Sequence, residues 1–213
     1  MKEIIDNKDL VKERLIESAD NLFSSFGIKS ITMDEIASSI GISKRTLYQI
    51  FSDKEDLLLG CILYRQNAMK LYVEELLKQT DNVLEIIILC YKFTMKKIHN
   101  VSYKFFEDIK RYPKAYEIFC NGQKRDSKDH VAFFHKGVEQ GLFRSDINFD
   151  ILHILLKEQM NVLLNSQINQ KYSMSLIYES IVFTFLRGVS TSKGNEILEK
   201  FIKDYKDEQN NLL

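Results

Sequence analysis

The stretch TMDEIASSIGISKRTLYQIFSDKEDLL, Thr32 to Leu58, holds two short helix signals joined by a turn at Ile40 to Ile42. Thr32 followed by Glu35 is a capping box, and Ile31 with Ile36 is spaced as a hydrophobic staple, so a helix is expected to start at Met33. Ser43 caps a second helix with Ile42 and Leu47 as its staple, while Gly41 supplies the permissive backbone for a sharp turn. Ser52 with Glu55 is expected to start a third. At about 100° per residue, Lys44, Arg45, Tyr48 and Gln49 share one arc of the second helix, and Leu47 and Ile50 share the opposite arc. One side packs; the other carries groups that bond phosphate oxygens or the edges of guanine and adenine. So short a helix needs neighbours to hold it, and Val11, Leu15, Ala19, Leu22 and Phe26 form a stripe on the preceding segment that can do so.

These residues carry a family resemblance. The segment LFSSFGIKSITMDEIA, the turn and helix GISKRTLYQIF and the opening SDKEDLL resemble the DNA-binding domain of TetR-family (tetracycline-repressor-like) transcriptional regulators over about Val11 to Leu58. The resemblance implies a recognition helix in the major groove, and a lysine at the start of a linking helix that approaches phosphate, here Lys54. The candidate DNA-contacting set is Thr32, Ser43, Lys44, Arg45, Thr46, Tyr48, Gln49 and Lys54. Within it, Lys44, Arg45, Tyr48 and Gln49 read or flank bases, and Thr32, Ser43 and Lys54 position the protein on phosphates. Many family members have a small residue where this chain has Arg45, so a relative's target sequence does not transfer.

Working outward, the chain of 213 residues has a single proline, Pro113, and apolar residues at helical period throughout. This predicts an all-α fold: a helix-turn-helix domain over 1–52, then a helical ligand-binding and dimerisation domain over 53–213, with 53–78 as the linking helix. Further helices are expected over Val83–Asn100, Ser102–Arg111, Lys114–Gln140 (with a polar middle, closed by Gly141), Ile151–Asn165, Tyr172–Val189 and Asn195–Asp207. The three cysteines, Cys61, Cys90 and Cys120, lack metal-ligand spacing and suit a reducing cytosol. No metal or cofactor is expected. The start MKEIIDNKDL has no apolar signal core, and no apolar run reaches the roughly 20 residues that span a bilayer, so the expectation is a cytoplasmic protein without a membrane partner. Formal net charge is zero; bulk electrostatics give no support to nucleic-acid binding, and any positive charge must be local.

Ile151–Asn165 and Tyr172–Val189 are apolar around most of their circumference, the mark of helices buried on both sides. Pairing the same helices from a second copy makes a four-helix interface, which the resemblance also implies, with Ile151, Leu155, Leu163, Ile177, Ile181 and Phe185 as candidate contacts. The bland alternative is a thick monomeric core. A dimer would set its recognition helices about 34 to 36 Å apart and would require a near-palindromic double-stranded operator.

A small-molecule effector site is expected among Phe93, His99, Phe105, Phe106, Tyr116, Phe119, Cys120, Phe133 and Met160, since helix-lined cavities favour aromatic walls with a few polar groups. Aromatics at this spacing equally suit ordinary core. Few inward cations suggest an apolar or neutral effector. The chain has no Gly-rich phosphate loop, nucleophile elbow, HExxH or paired-cysteine motif, so no catalytic residue is assigned. The reading is a homodimeric, ligand-responsive repressor. Activation, a protein-interaction module of the same fold, and a carrier or enzyme using the cavity remain the alternatives.

Overall fold

The computed structural model describes residues 2–99, 101–121, 127–165 and 167–210. Helices α1 (Lys2–Phe26), α2 (Met33–Ser39), α3 (Lys44–Tyr48) and α4 (Lys54–Gln79) come first. They are followed by α5 (Val83–Ile98), α6 (Tyr103–Asp108) with a 3-10 turn over Ile109–Arg111, α7 (Pro113–Asn121) and α8 (Ser127–Glu139). Last come α9 (Phe149–Asn165), α10 (Ile168–Lys171), α11 (Met174–Val189) and α12 (Ser192–Asn210). Among the described residues the only β-type pairing is an isolated bridge between Phe143 and Ser190.

Local chemistry sets the helix ends. Glu35 N–H donates to Thr32 Oγ1 at 3.2 Å, and Thr32 N–H donates back to Glu35 Oε2 at 2.6 Å, completing the box at the start of α2. Ser43 Oγ accepts from Thr46 N–H at 3.1 Å at the start of α3. Two glycines turn the chain: Gly41 at φ +72° between α2 and α3, and Gly27 at φ +88° after α1. A Cβ on Gly27 would lie 2.7 Å from Lys104 Cβ, so that position needs glycine for its backbone and for the approach of α6.

Several expected boundaries move. Asp53, not Ser52, caps α4, accepting from Asp56 N–H at 2.8 Å; the Asp56 carboxylate takes the Ser52 N–H at 2.9 Å. The carboxylate pair therefore shifts the cap by one residue. The segment read as a single helix over Lys114–Gln140 is helical on both sides of residues 122–126, as α7 and α8. Pro113 opens the first, where its missing N–H costs nothing, and residues 122–126 lie outside the described ones. α12 begins at Ser192 because Thr191 caps it, its Oγ1 accepting from Gly194 N–H at 3.2 Å; Gly194 also lets the helix press so close that a Cβ would stand 2.3 Å from the Leu142 carbonyl oxygen.

The apolar interior forms two clusters. The first joins α1 to α4 through Leu15, Phe23, Ile36, Leu47 and Leu58 and continues without a break into Phe105, Phe106, Ile109 and Ile177. The second gathers α5, α11 and α12 around Tyr91, Phe183, Leu186 and Leu198, with Phe143 and Phe149. Polar bonds reinforce the junction of α1, α4 and α6. Arg65 Nε donates to Asp20 at 2.6 Å, its other arm bonds the Ser24 hydroxyl, and the guanidinium lies 5.7 Å over the Phe105 ring. Ser102 N–H donates to Ser24 O at 2.8 Å, and Glu55 of α4 accepts the Lys114 N–H at 2.8 Å in the first turn of α7. α4 is thus tied at one end to the N-terminal helices and along its length to the rest.

Candidate nucleic-acid interface and small-molecule cavity

α3 and the turn after it bury Leu47 completely and Ile50 partly, leaving Lys44, Arg45, Tyr48 and Gln49 exposed. The arc expected from helical spacing is the arc that faces outward. Its groups differ in freedom. Lys44 Nζ lies 2.8 Å from Asp34 of α2, and this hydrogen bond and its charge hold the ammonium above the usual lysine range. The Arg45 side chain has no hydrogen bond or ion pair among the described residues. The Thr32 hydroxyl donates to Glu35 Oε2 at 2.8 Å, and the Ser43 and Thr46 hydroxyls lie 2.8 Å apart.

Lys54 is placed differently from a free cation. Its ammonium bonds the Ile31 carbonyl and sits 5.7 Å over the Phe23 ring, and partial burial lowers its pKa. In this arrangement it fastens the entry to α2. Its remaining N–H donors can still reach a phosphate while it holds that carbonyl.

A cavity of about 760 Å³ opens between α4, α5, α8, α9 and α11. Its inner wall is apolar and aromatic: Ile86, Ile87, Phe133, Phe134, Val182 and Phe185, with Cys90, Tyr91 and Tyr178 as its polar interior. Its charged lining, Lys70, Glu74 and Asp129, is exposed at the mouth beside His130 and Gln159. Tyr91 O–H donates to Glu179 at 3.3 Å. Burial raises the pKa of Tyr91, Tyr178 and Cys90 alike, so all three stay uncharged near neutral pH.

Of the nine residues expected at an effector site, Phe133 lines this cavity. Phe105, Phe106 and Phe119 instead cluster with ring centroids 5.4 to 6.2 Å apart, within the core shared with the N-terminal helices, and Tyr116 and Cys120 pack against it. Phe93 stacks on Tyr72 at 4.6 Å, and His99 is exposed at the end of α5. Met160 belongs to α9, but its side chain lies outside the described ones. The residues missed are the α5 and α11 faces that look at α8. Val182 and Ile86 carry no sequence mark distinguishing a cavity wall from solid core.

The expected dimer contacts divide similarly. Ile151 and Leu155 are 56% and 53% exposed on α9, beside Ile154 at 59%. Ile177 is buried in the core shared with α6, while Ile181 and Phe185 line the cavity between α11, α5 and α8. The Leu163 side chain lies outside the described ones.

Among the described residues no group of three potential ligands could hold a metal ion, and no helix is long and apolar enough to cross a membrane. A capped helix-turn-helix with an outward polar arc, joined by one long helix to a helical half with a cavity, defines a helix-turn-helix transcriptional regulator. Residues 15–61 match the domain described as bacterial regulatory proteins, tetR family. Those residues therefore carry a tetR-family regulatory domain, and the rest of the chain is similar in fold to regulators of that family.

It is 29% identical over 153 residues to the negative transcriptional regulator IcaR of the icaADBC biofilm operon of Staphylococcus epidermidis, covering 70% of this chain and 75% of that protein. It is 25% identical over 176 residues to an HTH-type transcriptional regulator of Staphylococcus aureus, covering 75% of this chain and 93% of the other. The fold is similar to that of the TetR-family protein CprB from S. coelicolor, with a TM-score of 0.66 at 16% identity over 95% of this chain and 99% of that one.

Proposed function

We propose that the protein is a homodimeric repressor that binds a near-palindromic operator through α3 and leaves it when an apolar or neutral effector enters the cavity. The observation that carries this reading is the double membership of α4. Its first turns, Leu57, Leu58 and Cys61, are buried in the core of the helix-turn-helix, and its later turns, Lys70, Val73 and Glu74, line the cavity. A ligand that displaces the second stretch moves a lever whose other end carries the reading head.

The reading assigns base contacts to Lys44, Arg45, Tyr48 and Gln49 and phosphate contacts to Thr32, Ser43, Thr46 and Lys54. The linking helix is placed at the boundary between a reading domain and a sensing domain near residue 53. Dimerisation is assigned to the outward side of α9, where Ile151, Ile154 and Leu155 stand exposed, together with Leu176 on α11. Farther along α11, Ser180, Thr184 and Gly188 are exposed on the same stripe, and their small size allows a facing helix to come close. The effector class follows from the cavity, whose charged lining is confined to the mouth; a buried charge without a partner is costly. Repression is supported by the name of the S. epidermidis relative, a negative regulator.

The test is a footprint of the full-length protein on the DNA upstream of its own gene, with sedimentation of the free protein. Protection of two half-sites about one helical turn apart by a dimer is the expected result. A folded monomer, or a dimer that protects nothing at low salt, would reject the reading.

A further inference from the structure

We propose that Asp34 is a specificity-determining residue of the reading face: it holds Lys44 on the protein until a DNA sequence offers the ammonium a better acceptor. The inference rests on α3 being the DNA-reading helix.

Asp34 lies in the first turn of α2, whose Met33, Ile36 and Ala37 are buried, so its carboxylate points away from the core. It meets Lys44 Nζ at 2.8 Å across the turn, with both side chains more than half exposed. The fold does not depend on this pair. α2 and α3 are already joined by the buried Ile36 and Leu47 and by Ile42 N–H donating to Ala37 O at 3.0 Å, and exposed ion pairs contribute little to stability. The neighbouring charges are engaged elsewhere: Glu35 in the capping box and Lys54 on the Ile31 carbonyl.

What the pair changes is the charge offered to DNA. While Lys44 holds Asp34 its charge is largely neutralised; bringing the whole ammonium to DNA opens the pair, and the carboxylate then stands in the negative field of the duplex. The α2 N-terminus offsets part of that exposure, since its dipole favours an anion in the first turn. On generic DNA, Lys44 exchanges one carboxylate for one phosphate, and Asp34 is left opposing phosphates. On the right sequence the exchange is repaid, because lysine bonds guanine O6 and N7 and a carboxylate accepts from the cytosine amino group. The same carboxylate therefore penalises the wrong sequence more than the right one.

The experiment compares full-length wild type, Asp34→Asn, Lys44→Ala and the double variant, by anisotropy on the footprinted operator and on a scrambled duplex of equal composition over a salt series. Asp34→Asn is expected to raise affinity for the scrambled duplex about three- to tenfold and to steepen its salt slope by about 0.9. Operator affinity is expected to rise less, so the specificity ratio falls, and the rise should be smaller in the Lys44→Ala background, where no ion pair has to open. An equal rise on both duplexes, or no change on either, overturns the proposal. So does a change in the Lys44→Ala background as large as that in the wild type, which would leave the ion pair without a role. Thermal melts confirm folding, and Asp34→Ser serves if the asparagine variant is unstable. A wild type that footprints nowhere rejects the α3 reading itself; a wild type that footprints while Asp34→Asn shifts both duplexes alike rejects only this proposal.

Discussion

Arg45 and Lys44 are adjacent on one exposed arc, yet only Lys44 has a partner among the described residues. Arg45 keeps its planar fork available for a bidentate contact with a guanine edge. Arg45→Ala is expected to lose about 1 to 3 kcal/mol on the operator and to relax preference at one base position, measured by selection from a randomised half-site; a uniform loss on all sequences would mark it as a phosphate contact. Glu35 makes a prediction about pH. Its hydrogen bonds with the Thr32 N–H and hydroxyl hold its carboxyl below the usual 4.5. A carboxyl depressed in the folded state contributes stability above its unfolded pKa and loses it as pH falls through the folded value. Urea midpoints of the wild type should therefore fall more steeply than those of Glu35→Gln as pH drops below about 4.5. Parallel curves would remove Glu35 from the acid response. The Glu35 cap and the outward position of Arg45 were legible in the sequence, because a cap and an arc depend on spacing alone. The ion pair from Asp34 to Lys44 was not, since it joins residues on different helices.

Elements are held together where backbones come close. Gly27 ends α1 at positive φ and leaves room for Lys104 of α6, while Lys29 N–H donates to Asp108 at 2.7 Å just beyond. Gly27→Ala must accept both the left-handed backbone and the contact with Lys104, and is expected to cost about 1 to 3 kcal/mol by chemical denaturation. Its hydrogen exchange should rise first at the junction of α1 and α6; uniform exchange would show that this junction is not a separate unit. Helix existence was readable from periodicity and breakers. Two boundaries moved: the local Asp53–Asp56 pair took the α4 cap from Ser52, and Thr191, held by the Leu142 carbonyl, capped α12 ahead of its expected start. A pattern of apolar residues contains no record of such bonds.

Across the whole molecule, α4 links the reading head to the cavity wall, so filling the cavity should register at the DNA. The chain contains no tryptophan, which makes a single one a clean reporter. Val182→Trp places a large side chain on the cavity lining and is expected to weaken effector binding at least about tenfold, roughly 1.4 kcal/mol, while its emission reports whether the ring is shielded. Unchanged effector binding by calorimetry, with the ring buried, would place the effector elsewhere. The cavity was the least legible feature. Phe105, Phe106 and Phe119 have the same helical spacing as Phe133 and Phe134, yet the first group fills the core beneath α1 and α4, and the second borders the cavity.

By itself the sequence determined the all-α class, the capped helix-turn-helix and the outward arc of α3, because capping bonds and helical periodicity act between residues a few positions apart. Tertiary structure alone decided which aromatics enclose space, which faces of α9 and α11 remain uncovered, and which charges meet across helices. Those outcomes depend on how whole helices pack against one another, and equivalent apolar residues become wall, core or surface only when that packing is complete.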